Sequence, residues 1–102
     1  MTGLQRHRRP TAPGEILREH YLVPRGVSVT DLAETLGASR KQISLLVNGH
    51  VRVTPEMAAR LAKSLGTTTR FWLNLQTAVD AYDADQAAEG WQPGRVLGRP
   101  AA

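Results

Sequence analysis

Gly37 separates two short amphipathic runs, and that junction limits the fold more than any other feature of the chain. Before it, Ser28 and Asp31 stand three residues apart ahead of Leu32, Ala33 and Leu36, a capping pair followed by an apolar stripe at helical spacing. After it, Ser39 and Gln42 repeat the capping spacing ahead of Ile43, Leu46 and Val47, which predicts a second capping box. A glycine between two such helices supplies the positive φ that a helix C-terminus needs, so the chain turns sharply there. Ala33 leaves room for the two helices to approach closely. Residues 28–48 therefore predict a helix-turn-helix.

The flanking sequence predicts three more helices. Pro13 opens the first, with Glu15 near the positive end of its dipole and Ile16, Leu17 and Tyr21 on one face; Pro24 and Gly26 are expected to end it. Thr54, Pro55 and Glu56 open a fourth helix through Met57, Ala58, Leu61, Ala62 and Leu65, closed by Gly66. Thr68 or Thr69 opens the fifth and longest, running through Phe71, Trp72 and Leu75 to Asp83 or Ala88. No run alternates as a strand would. The expected fold is all-α, a five-helix bundle containing a helix-turn-helix over residues 13–88, and 102 residues suffice for one such domain but not two. Residues 1–12 read as a flexible basic arm whose Arg6, Arg8 and Arg9 either reach DNA or stay disordered, and residues 89–102 as a mobile tail.

Thirteen Lys and Arg against nine Asp and Glu give a formal charge of +4, which favours a polyanionic partner. The second helix of the pair carries no acidic residue at all. With Ile43, Leu46 and Val47 inward, helical geometry turns Arg40, Lys41 and Ser44 outward. Ser39, Arg40, Lys41, Gln42 and Ser44 are thus the expected DNA face, set into the major groove. Gln42 suits adenine, Arg40 or Lys41 suits guanine, and Ser44 serves either a base or a phosphate. Asn48, His50 and Arg52 follow the helix and are expected on backbone phosphates.

Readers of this kind commonly bind as two-fold dimers to half-sites about 34 Å apart. The fifth helix offers the apolar bulk for such an interface: Phe71 and Leu75 read first as core, while Trp72, Val79 and Tyr82 extend a stripe toward a second copy. Asp80, Asp83, Asp85 and Glu89 keep this end of the chain off DNA and leave it free to meet protein.

Enzymatic chemistry finds no footing. Without cysteine there are no disulfides, thiolate metal sites or thiol nucleophiles. His7, His20 and His50 lie far apart and outside any metal spacing, and Glu15 with Glu19 reads as a solvated i,i+4 stripe. No phosphate-cradling glycine loop or serine elbow occurs. No catalytic residue, metal, cofactor or small-molecule substrate is expected. No apolar stretch approaches the roughly 20 residues that span a bilayer, and the basic N-terminus lacks the apolar run of a secretory signal, so the expectation is a cytoplasmic protein without a membrane partner.

Pro13-Gly14-Glu15-Ile16-Leu17-Arg18-Glu19, the helix-turn-helix, Asn48-Gly49, Thr54-Pro55-Glu56-Met57-Ala58, Arg60-Leu61-Ala62, Leu65-Gly66-Thr67 and Phe71-Trp72-Leu73-Asn74-Leu75-Gln76 together closely resemble the HigA-type antitoxins of the Xre helix-turn-helix class, also called VapI-like. The resemblance covers Pro13 to Tyr82. It implies a lambda-repressor-like five-helix bundle, a homodimer, operator DNA at the protein's own promoter and a HigB-type toxin, a small basic mRNA endoribonuclease. By position, Ser39, Arg40, Lys41, Gln42 and Ser44 match the operator-reading stretch, and Phe71, Trp72, Leu75, Val79 and Tyr82 fall in the dimerisation helix. Leu45 stands where many relatives carry a polar residue. The alternatives are a stand-alone Xre-family repressor without a toxin partner, or an inhibitor that binds only protein.

Overall fold

The computed structural model describes residues 8–98, which form five helices and, among those residues, no strand. Arg6 and His7 lie outside the described residues. The first helical stretch, α1, is α-helical over Pro13–Leu17, widens to a π-helical turn over Arg18–Leu22 and closes with a short α-helical turn over Val23–Arg25. Then follow α2 (Val29–Leu36), α3 (Arg40–Val47), α4 (Pro55–Leu65) and α5 (Thr69–Ala87).

Pro24 does not end α1 where the sequence suggested. Its missing N–H and its ring both disfavour a normal α-turn onto the carbonyl four residues back. The backbone adapts by widening: the Val23 N–H donates to the Arg18 carbonyl, five residues back. Proline is thereby absorbed into the last turn, and Gly26 at φ 65° closes the helix.

The turn between α2 and α3 forms as its sequence requires. Ser28 Oγ accepts from the Asp31 N–H at 3.0 Å, and the Ser28 N–H donates to the Asp31 carboxylate at 3.4 Å. Gly37 sits at φ 68°, ψ 34°, and Ala38 N–H donates to the Ala33 carbonyl to seal the helix end. At α3 only half of the expected capping box appears. Ser39 Oγ accepts from the Gln42 N–H at 3.0 Å, but no bond returns from the Gln42 side chain among the described residues.

Leu17 and Leu22 of α1, Leu32 and Leu36 of α2, Ile43 and Leu46 of α3 and Leu61 of α4 meet in one core closed by Trp72 of α5. Trp72 is wholly enclosed, and its indole N–H donates to Thr67 Oγ1 at 2.7 Å, so the largest apolar group in the core leaves no donor unpaired. Tyr21 and Phe71 pack on it with ring centroids 5.5 and 5.0 Å away. Arg60 of α4 donates to the Leu36 carbonyl at 3.2 Å, fixing the end of α2 where the tight turn begins.

Gly14 makes a close packing contact. It lies buried in the first turn of α1 against the C-terminal half of α3, and a Cβ there would fall 1.9 Å from the Leu46 carbonyl oxygen and 3.1 Å from that of Val47. Two backbones touch where a side chain would separate them. At an open helical site, alanine for glycine gains up to about 1 kcal/mol. Here overpacking, costing about 1–3 kcal/mol, opposes it and wins because the obstacle is backbone. Gly14→Ala should therefore lower the melting temperature, by roughly 4–8 °C per net kcal/mol for a domain of this size. A thermal unfolding curve that moves upward instead would show that α1 does not touch α3 this way.

Candidate nucleic-acid interface

The candidate interface is built from α3. Ile43, Leu46 and Val47 are buried, and their spacing fixes the helix's rotation about its axis. Arg40, Lys41 and Gln42 are consequently exposed in the first turn, and Ser39 beside them is held by its capping bond. Because the Gln42 side chain makes no hydrogen bond among the described residues, its amide remains able to make the paired bonds an adenine edge offers. Arg40, Lys41 and Ser44 border a shallow groove with Val29 of α2. A cationic, unobstructed first turn braced by a neighbouring helix can enter a major groove and place its side chains on base edges.

The residues beyond α3 stand differently. Asn48 folds back on its own helix, its Nδ2 donating to the Ser44 carbonyl at 2.9 Å and to Ser44 Oγ at 3.4 Å. Ser44 and Leu45 are half-buried. His50 is exposed and its backbone N–H donates to the Leu45 carbonyl at 2.8 Å, closing the end of α3. Arg52 is exposed but turned toward α5, where its guanidinium pairs with the Asp80 carboxylate. Among the described residues, then, Asn48 and Arg52 already have side-chain partners, whereas the side chains of Arg40, Lys41 and Gln42 have none.

Sequence reasoning passed over Gln76, the one buried polar side chain among the described residues. Its Oε1 accepts from the Val53 N–H at 2.7 Å and its Nε2 donates to Asp80 Oδ1 at 3.0 Å. It therefore fastens the loop after α3 to α5. The signal was present: an amide at position 76 lies four residues from Trp72 and three from Val79 on an inward face, where polar groups occur only when bonded. Gly14 likewise had a signal, a glycine inside a helix where alanine would serve better.

The stripe on α5 divides in a way the sequence did not give. Trp72 and Val79, expected toward a second copy, are buried inside the protomer at 0% and 2% exposure, while Phe71, expected as core, is 36% exposed. Residues 72, 76 and 79 share the inward face, and a one-residue offset rotates Phe71, Leu75 and Tyr82 about 100° onto the neighbouring one. Leu75 and Tyr82 are half-buried there. Trp72 and Val79 thus offer no surface to a partner; Phe71, Leu75 and Tyr82 do.

Arg9, expected on a flexible arm, is clasped to the far end of α5. Its Nε and Nη2 donate to the two carboxylate oxygens of Asp83 at 2.8 and 2.9 Å. The hydrogen bonds from Arg9 hold the Asp83 carboxyl below the usual carboxylate range, and the same bonds raise the Arg9 guanidinium. Among the described residues, no helix is long and apolar enough to cross a membrane, and no group of acidic or histidine side chains is arranged to hold a metal ion.

This geometry defines a helix-turn-helix module, and comparison with known proteins agrees. The helix-turn-helix family model matches residues 17–72, more than half of the chain. The antitoxin HigA-1 of Vibrio cholerae is 46% identical over 74% of this chain and 71% of its own length. An uncharacterized HTH-type transcriptional regulator of Haemophilus influenzae is 47% identical over 76% of this chain and 73% of its own length. A solved structure of the antitoxin GraA in complex with its operator superposes with a TM-score of 0.78 at 38% identity, covering 92% of this chain and 99% of that one. The chain belongs to the HigA-type antitoxins of the Xre helix-turn-helix family, a family of DNA-binding regulators and not of enzymes.

Because Asp83 has a lowered pKa in the folded protein, the clasp is complete above the ordinary carboxylate value and is lost as pH falls through the lowered one. Backbone order parameters of residues 8–12 should therefore stay high at neutral pH and drop toward about 0.6 or less only below about pH 4. Asp83→Asn should release the segment at neutral pH. Residues 8–12 equally mobile in the wild type at pH 7 would contradict the clasp.

Proposed function

We propose that this chain is an operator-binding antitoxin. As a homodimer in the cytoplasm it lays α3 into the major groove of double-stranded operator DNA, represses its own toxin–antitoxin operon and neutralises a HigB-type mRNA endoribonuclease by binding it. The carrying observation is the first turn of α3, where Arg40, Lys41 and Gln42 are all exposed on a helix whose buried face fixes their direction. Ser39 and Ser44 complete the reading face, with Asn48, His50 and Arg52 on flanking phosphates. The operator complex of the GraA relative supports the DNA half of this reading, and the name of the Vibrio cholerae relative supports the antitoxin half. For the dimer, Phe71, Leu75 and Tyr82 supply the outward apolar stripe, with Trp72 and Val79 bracing it from inside.

A second reading, a stand-alone repressor without a toxin, is favoured by the similarity to the Haemophilus influenzae regulator. Expressing the adjacent gene's product with and without this chain separates the two. An antitoxin relieves the growth arrest that the neighbour alone imposes; a stand-alone repressor leaves growth unchanged.

Each base contact carries about 1–3 kcal/mol of discrimination. Replacing Arg40 and Gln42 together with alanine should reduce binding of the protein's own upstream DNA to its level on unrelated DNA. The melting temperature should hold, since both side chains are exposed. Unchanged operator affinity in an intact double variant would remove α3 from the reading role.

A further inference from the structure

Arg52 occupies a ridge between two clefts. On one side it borders a cleft with Gln42 of the reading helix, Thr54, Glu56 and Arg60; on the other it borders a cleft with Arg9, Asp80 and Asp83. In the structure it faces the second side, paired with Asp80. The carboxylate is not a loose surface group. Gln76, only 6% exposed, donates to Asp80 Oδ1 while accepting from the Val53 N–H, so one buried amide fixes both the acid on α5 and the loop that carries Arg52.

We propose that Asp80, aimed by Gln76, is a positioning residue for the DNA site: it stores Arg52 against α5 in the free protein and yields it to a backbone phosphate on the Gln42 side when operator binds. This rests on the operator-binding reading above. The energetics favour the exchange. With side chains 59% and 42% exposed, the Arg52–Asp80 pair is screened and individually weak, whereas a phosphate on DNA sits in a dense field of like charges and releases a condensed counterion when neutralised. The same pair opposes binding, because it must break first. Asp80 therefore sets how tightly this protein holds DNA without touching DNA itself. It also ties that affinity to the helix whose outer face is free for protein contact.

The test is binding of the full chain to its own upstream DNA across a salt series, for the wild type, Arg52→Ala, Arg52→Lys, Asp80→Asn and the Arg52→Ala/Asp80→Asn double variant. Asparagine keeps an oxygen to accept from Gln76 and replaces the charged acceptor facing Arg52 with a neutral amide NH2. Arg52→Ala should weaken binding about three- to ten-fold and reduce the slope of log affinity against log salt by about 0.9, with Arg52→Lys restoring most of the slope. Asp80→Asn should tighten binding by up to about five-fold, and that gain should vanish in the Arg52→Ala background.

A gain of equal size without Arg52 would mean that Asp80 acts only as a general negative charge, which overturns the inference. So would unchanged affinity and slope in Arg52→Ala, or weaker binding in Asp80→Asn. Failure of the wild type to select its own upstream DNA would overturn the operator-binding reading, and this inference with it.

Discussion

The backbone contact between Gly14 and the Leu46 carbonyl is the constraint on which the rest of the structure depends. It brings α1 against α3 with no side chain between them, so the separation of the two helices is set by main-chain atoms. Side chains can repack around a mutation; two touching backbones cannot. From this contact α1 runs toward α5, where Tyr21 reaches Phe71 and Trp72. Helix α3 is thus held at a fixed depth by its neighbour on one side and by the Gly37 turn on the other.

A second set of contacts carries that rigidity outward. Arg60 bonds the last carbonyl of α2, and Gln76 bonds the loop that follows α3. Each is a polar side chain doing what apolar packing cannot, which is to fix a particular backbone group in direction as well as in distance. The outward face of α3 is accordingly presented on a scaffold braced by these two side chains. What a DNA site requires from the protein is a helix whose exposed residues cannot rotate away from the bases, and the buried triplet Ile43, Leu46 and Val47 provides it.

The helices and the turn were legible from local rules because their signals are local. Caps, positive-φ glycines and apolar periodicity act within a few residues, and Ser28, Gly37, Ser39, Thr54 and Thr68 all stand at helix ends where expected. The outward face of α3 was legible for the same reason, as the inward residues of a short helix determine its outward ones. Long-range pairings were not legible. Nothing near Arg52 in sequence points to Asp80, 28 residues on, nor does Arg9 announce Asp83, 74 residues away. The division of α5 into an inward Trp72 face and an outward Phe71 face also escaped a periodic reading. A stripe of alternating bulk at 3.6-residue spacing does not say which of two adjacent faces meets the core. Pro24 misled because a proline that usually stops a helix was accommodated by a π-turn.

The most direct test of the account is to titrate the isotope-labelled protein with its own upstream DNA and follow its backbone amides by NMR. The largest shifts should fall on Ser39 to Ser44, with smaller changes at His50 and Arg52 and little change along the outward face of α5. Shifts confined to α5 or to residues 8–12, with α3 unmoved, would contradict it.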